Sequence, residues 1–457
     1  MKSVKNLGRQ TFAVLALSSL AMAVSAAVSV EEAAKLQTTL TPMGAERAGN
    51  AEGTIPEWTG GLPTDAAPVS ENGFFSDPFA DDQKLFTVTA DNVAQYADQI
   101  SPGQLAMFAR YPETYRMHVY PSRRSNTVPD EVFAAVARNA VNTKTVEGGN
   151  GLENFDTAYP FPIPQNGVEA VWNHITRYRG GSFSRTIAQA TPQANGSNTM
   201  VVFKDEFTFA TALTDYSAQT NPNLMFYFTQ RVLSPSRLAG DVLLVHEFIN
   251  QVKEPRLAWI YNAGQRRVRR APQVAYDGPA FGSDGTRTSD NYDFYNGAPD
   301  RYNWKLVGKR EMLIPYNNYK IGSPDIKYDE IIQAGHINQD LVRYEKHRVW
   351  EVEATLKEGQ RHVYAKRHFF INEDNWQVAA LDHYDGRGGL WRVAEAIALQ
   401  RYDEKIPSYA VETLYDLQNG RYVALGMTNE ERENYDTDFE ASSADYTPNA
   451  LRASGIR

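Results

Sequence analysis

Three apolar, β-branched and aromatic runs, LMFYFTQRVL, VLLVHEFINQ and RLAWIYNAGQRRVRR, follow one another between 224 and 270. Breaks at Pro235 to Gly240, Lys253 to Pro255 and Asn262 to Gly264 separate them. Runs of β-branched and aromatic residues bounded by Pro, Gly and Asn predict consecutive strands joined by hairpins. The period of two begins near residue 200 and continues far downstream. Val349, Glu351, Glu353 and Thr355 alternate with Trp350, Val352, Ala354 and Leu356, which predicts one wet and one buried face. Turns at Glu358-Gly359, 372–375, 385–389 and Asn419-Gly420 punctuate the strands that follow, among them WQVAALDHY (376–384). Connections this short require antiparallel neighbours, so 200–427 reads as one large meandering antiparallel sheet. Its apolar face needs a cover, either protein alone or protein with a greasy ligand.

Upstream the period lengthens to that of helices. Ser101-Pro102 supplies a cap and a first-turn proline ahead of Leu105, Met107 and Phe108. Pro129 opens a second pattern with Val132, Phe133 and Val136 on one side. Val168, Val171, Trp172 and Ile175 fall at i, i+3, i+4 and i+7, an amphipathic helix whose stripe must be covered. Residues 40–62 are rich in Gly and Pro and predict a segment wrapped over the main body, anchored by Trp58. The proline-rich YPFPIP (159–164) marks a boundary. Four parts result: a signal peptide at 1–26, a wrapping segment with short helices at 27–158, the β domain at 159–427 and a loosely held polar tail at 428–457.

Composition narrows the function classes. Lys2, Lys5 and Arg9 precede the short apolar run Thr11 to Val24, with small residues for cleavage at Val24 to Ala27. An exported chain is expected, resident in the periplasm and free or peripheral to the outer membrane. The chain has no Cys, which excludes disulfides, thiolate metal sites and an acylated lipoprotein anchor. A net charge of −9 argues against nucleic acid as a partner.

No reaction announces itself. None of the eight histidines forms HExxH, no G-x-S-x-G follows a strand, and no phosphate-binding glycine loop is present. No catalytic residue, metal ligand or cofactor is therefore assigned. A hydrolase-like alternative would use Asp382, His383 and the 281–297 loop, although neighbours on a strand point to opposite faces. That loop also fits a sheet-crossing turn stabilised by Asx bonds. Arg266, Arg267, Arg269 and Arg270 form the sharpest charge feature. They suit docking to anionic head groups or an acidic partner, and equally a solvated hairpin edge that discourages aggregation.

Several long motifs in fixed order carry a resemblance: LTPMGAERAGNAEGTIPEWTGGL, VWNHITRYRG, RLAWIYNAGQRRVRRAP, GTRTSDNYDFYNGAPDRYNWKLVGKRE and NWQVAALDHYDGRGGLWRV. The mature chain resembles a family of uncharacterised Gram-negative envelope proteins commonly called outer-membrane lipoprotein-sorting proteins. More distantly it is similar to the lipoprotein-carrier superfamily of LolA and LolB type, through Trp259, Tyr261, Arg267, Val268, Arg270, Trp376, Asp385 and Gly388. The chain is about twice the length of such a carrier module, and the segment before 160 has no counterpart there.

That resemblance implies a mainly β (α+β) fold, a large incomplete antiparallel barrel with helices as a lid and an irregular N-terminal extension. It implies a carrier or accessory factor for lipids or other hydrophobic molecules, working beside an inner-membrane exporter or an outer-membrane protein. Trp172, Phe226, Phe228, Trp259, Tyr261, Trp304 and Trp350 are the cavity or lid candidates. A non-catalytic scaffold, its hollow filled by its own side chains, is the alternative.

Overall fold

The computed structural model describes residues 27–455 except 272, 273, 275 and 433, so the signal-peptide expectation at 1–26 lies outside the described residues. Two short strands come first, β1 (Phe86–Val88) and β2 (Met117–Val119), then a separate ladder of β3 (Lys144–Val146) and β4 (Gly151–Glu153). A first meander follows: β5 (Ser182–Ala190), β6 (Met200–Phe209), β7 (Leu224–Ser234), β8 (Val242–Phe248), β9 (Leu257–Asn262) and β10 (Arg267–Arg270). A second comprises β11 (Tyr302–Pro315), β12 (Arg343–Leu356), β13 (Lys366–Asn372), β14 (Val378–Tyr384), β15 (Leu390–Arg401), β16 (Ile406–Asp416) and β17 (Tyr422–Met427). The short β18 (Tyr435–Asp436) closes the series. Helices are α1 (Val30–Ala33), α2 (Pro102–Arg110), α3 (Asp130–Asn142), α4 (Gly167–Ile175), α5 (Tyr328–Ile331) and α6 (Pro448–Gly455).

The two meanders are joined at a seam where β17 pairs antiparallel with β5, Ala424 opposite Ala190. Tyr344 pairs with Pro315 of β11 and with Val119 of β2, so these strands lie on opposite edges of β12. Among the described residues β10 pairs only with β9, and β11 only with β12. Two consecutive strands thus end up at the two extremities of an open sheet. Register shifts at Leu306/Gly308, Phe370/Ile371, His383/Tyr384, Ile397/Ala398 and Leu425/Met427 bend it, because an unpaired extra residue kinks its strand. The fold is mainly β, an incomplete antiparallel barrel.

Both faces of the central strands are covered. Val393, Val411, Tyr415 and Ala424 point outward against Met107 and Phe108 of α2, and Ala394, Leu414 and Leu425 point inward. That is why β14 and β17 are buried almost throughout, whereas the second half of β12 keeps the wet-and-dry alternation.

The inner face is filled from three sources. Helix α4, capped by the Asn166 side chain, contributes Val171, Trp172 and Ile175. The 276–301 connection between the sheet's two ends crosses the hollow and buries Phe294 and Tyr295. The wrapping segment adds Met43, and Trp58 donates to the Asn126 carbonyl at 3.0 Å.

Two expectations differ from the structure. Residues after 427 do not hang loosely: β18 pairs with β5, and Tyr446 and Leu451 pack on Tyr227, Leu244 and Tyr261. Those side chains leave the outer face of β7–β9 apolar, and the few hydrophobes of the polar C-terminal segment cover it. Trp376, expected in a strand, sits in the β13–β14 turn at φ 59° and donates to the Met43 carbonyl at 2.8 Å.

Candidate functional site

Strand register builds the wall of a cleft. Gln230, Leu243 and Ile260 are partners across β7, β8 and β9, and Phe228 pairs with Val245. With side chains alternating at every residue, Phe226, Phe228, Gln230, Leu243, Val245 and Ile260 share the inner face. Pro279, Ala280, Phe281, Arg287 and Tyr292 of the crossing connection form the opposite side. The cleft between them has a volume of about 110 Å³.

The roof is tied down by buried ion pairs and hydrogen bonds. Arg256 reaches Glu247 at 2.5 Å and also bonds the Asn296 carbonyl. Asp290 accepts from Arg367 at 2.7 Å and is 3.0 Å from His362, while His383 Nε2 is 2.7 Å from Asn291 Oδ1. Asp293 and Phe294 hold left-handed backbone angles (φ 52° and 65°), strained for residues with a Cβ and kept in place by these bonds.

A second hollow of about 40 Å³ adjoins the first, sharing Phe226, Tyr292 and Asn296. Arg177, Arg179, Arg185 and Arg401 line it together with Asp293. Arg177 meets Asp293 at 2.5 Å and Arg179 bonds the same carboxylate. Burial alone would raise the pKa of Asp293, but the two guanidiniums outweigh it and hold the carboxyl well below the usual range. His174 accepts from the Val378 N–H at Nδ1, so Nε2 donates to the Asp293 carbonyl at 2.8 Å. Burial, then Arg177, lowers its pKa to about 3, and the ring is neutral. Arg185 pairs with the buried Asp205 and bonds the hydroxyls of Tyr292 and Tyr435. Glu412 is pushed up to about 7 by burial against the pull of Arg287.

Of the residues singled out in the sequence, Phe226 and Phe228 stand in the cleft wall. Trp172 is fully buried in the core with its indole N–H on the Gly149 carbonyl at 2.8 Å. Trp259 and Tyr261 face outward, among Tyr227, His246 and Tyr446; their neighbour Ile260 faces the cleft. Trp304 packs on Tyr295, Tyr302 and Phe369. Trp350 lines a separate open groove of about 510 Å³ beside the wrapping segment, with Lys309 Nζ 4.7 Å above its ring. Arg266, Arg267, Arg269 and Arg270 are exposed on and beside the edge strand β10.

Asp382 and His383 are both buried and project to opposite faces of β14. Asp382 accepts from Ser101 Oγ at 3.0 Å and the Gly103 N–H at 2.8 Å, under α2. Among the described residues no group of three or more His, Asp or Glu is arranged to hold a metal ion. Sequence reasoning passed over Arg177, Arg179, Arg185, Arg287 and Arg401. The signal for the first three was the alternation in RYRGGSFSR, but Asp293, the partner of Arg177 and Arg179, lies far along the chain.

The class defined so far is an open-barrel β protein with a roofed, apolar cleft ending in buried arginines. The chain belongs to the family of proteins of unknown function designated DUF1329, whose model matches residues 87–452. An uncharacterized protein of Pseudomonas aeruginosa, PA3922, is 67% identical over 444 residues, covering 97% of this chain and 98% of that protein. Among solved structures, an outer membrane lipoprotein-sorting protein domain from Vibrio parahaemolyticus is similar with a TM-score of 0.44 at 12% identity, covering 63% of this chain and 98% of that one. LolA superfamily protein NE2245 from Nitrosomonas europaea gives 0.37 at 11%, covering 62% and 98%. The architecture described above rests on this chain's own strand pairing.

Proposed function

We propose that the protein is an envelope-resident carrier or accessory factor that binds hydrophobic or amphipathic small molecules in the cleft between β7–β9 and the crossing connection. The observation that carries this reading is the cleft itself: Phe226, Phe228, Leu243, Val245, Ile260 and Phe281 line a volume of about 110 Å³ inside the open barrel. An apolar cavity of roughly 150 Å³ accepts a benzene ring, so this one suits a ring or short alkyl segment rather than a whole long acyl chain. Each methylene buried there contributes about 0.8 kcal/mol, and five or so contribute roughly 4 kcal/mol before ordering costs.

Among the described residues no helix is long and apolar enough to cross a membrane. The exposed arginines of β10 provide a docking edge for an acidic face of an exporter or outer-membrane partner. A non-catalytic scaffold is the second reading, favoured by Trp172, Phe294 and Tyr295 filling much of the hollow with native side chains. Native mass spectrometry of protein purified without detergent separates the two. Bound apolar molecules released on denaturation support the carrier, and bare polypeptide that also fails to take up added octanol supports the scaffold.

A further inference from the structure

The two adjoining hollows are lined by six arginines, Arg177, Arg179, Arg185, Arg256, Arg287 and Arg401, and by one carboxylate, Asp293. Asp293 is shared by Arg177 and Arg179, Asp205 pairs with Arg185, and Glu247 pairs with Arg256. Among the described residues Arg287 and Arg401 have no carboxylate within 4.0 Å, although only 3% and 5% of their surfaces are exposed. Among the described residues neither guanidinium finds a hydrogen-bond partner; Nε of both, and Nη1 of Arg287, are buried without one. What surrounds them instead is aromatic: Arg401 lies over Tyr435 at 4.4 Å and Phe75 at 4.8 Å, and Arg287 over Tyr292 at 5.5 Å. Burial lowers the pKa of Arg401 against the pull of Tyr435, Glu404 and Asp403.

Unpaired buried charge costs several kcal/mol, and a protein keeps it where a partner arrives from outside. Rings above a guanidinium leave its edge donors free, and a planar fork matches the oxygens of a carboxylate or phosphate. Size sets a further limit. At about 10–15 Å³ for each water-sized sphere, the hollow of about 40 Å³ holds some three such spheres, or one small oxyanion. It is too small for a sugar phosphate. The apolar cleft opens directly from it across Phe226 and Tyr292.

We propose that the ligand is an anionic amphiphile, its single oxyanion head held by Arg401 in the smaller hollow, Arg287 adding its charge from the adjoining cleft, and its apolar part laid along Phe228, Val245 and Ile260. This rests on the carrier reading and adds the charge of the head to it. A free fatty carboxylate and an alkyl phosphate share the recognised chemistry.

Calorimetric titration with octanoate, octyl phosphate and octanol tests both levels. Octanoate or octyl phosphate binds about tenfold or more tightly than octanol, as expected of hydrogen bonds to a charged group, and the tighter anion identifies the head. Arg401→Gln removes most of that preference and leaves octanol affinity unchanged. The same substitution raises the unfolding temperature of the ligand-free protein, because it deletes an unneutralised charge. A fall would mean that Arg401 is satisfied within the fold and would count against the proposal. Arg287→Gln, which removes the charge facing the cleft, gives a smaller loss of preference in the same direction and serves if the first variant does not fold. Octanol binding as tightly as the anions, or both variants keeping the preference, overturns the head-group assignment and leaves the carrier reading standing. Failure of all three probes overturns both.

Discussion

Replacing Asp382 with Asn isolates one buried carboxyl from the rest of the molecule. Burial raises its pKa from 3.8 to about 7, against the opposing hydrogen bonds from Gly103 and Ser101. Between those values the folded protein holds a proton that the unfolded chain has released. Stability from this site is therefore greatest below about pH 4 and declines as pH climbs through about 7. The decline is about 1.36 kcal/mol for each unit and so roughly 4 kcal/mol in all.

The wild-type curve by itself conceals this slope. His174 and His383 are kept neutral by burial, with His174 lowered to about 3, and below their ordinary 6.5 they push stability the other way. Glu412, pushed up to about 7, acts in the same direction as Asp382. Subtracting the wild-type profile from that of Asp382→Asn cancels all of these. Urea unfolding followed by tryptophan fluorescence, from about pH 4 to about pH 8, should show the variant gaining roughly 4 kcal/mol on wild type across the range. A difference that stays level refutes the assignment of the proton to Asp382.

Asp293→Asn should cost about 3–5 kcal/mol in the same unfolding assay, since it leaves Arg177 and Arg179 buried without their counter-charge. Gly103→Ala should destabilise by about 1–3 kcal/mol or more, because its Cβ would stand 2.0 Å from Asp382 Oδ1 and 2.8 Å from Val393 Cγ1. Phe228→Ala should widen the cleft and shift preference toward longer alkyl probes in calorimetry. Trp259→Ala, on the outer face, should leave ligand affinity unchanged while lowering the unfolding midpoint.

Local rules carried the reading furthest where a few neighbouring residues decide the outcome. Ser101 caps α2 in a reciprocal box with Gln104, and the spacing of Val171, Trp172 and Ile175 gave α4 its buried stripe. Asn419-Gly420 does separate β16 from β17. Period two separates Asp382 from His383, and the 281–297 loop does cross the sheet. What local pattern cannot assign is phase. Trp259 and Tyr261 attract attention as large aromatics, yet register with Phe228 places Ile260 on the inner face. Nor can it tell which arginines bury. The exposed run at 266–270 is contiguous and conspicuous, whereas Arg401 is surrounded by Phe75 and Tyr435, brought together only by the finished fold. Strand β5 falls outside the 200–427 reading although it pairs along its whole length with its neighbour β6; what sequence distance hides is its second partner, β17.

The seam between β5 and β17 has a consequence for how the chain comes into being. A polypeptide emerging N-terminus first presents one flank of β5 with nothing to bond until almost the last strand has appeared. Newly made chains therefore spend that interval with a long raw ladder available to any passing strand, their own or a neighbour's. Holdase chaperones that shield such flanks should raise the yield of native protein, and joining the natural ends while opening the chain between the two meanders should lessen the dependence.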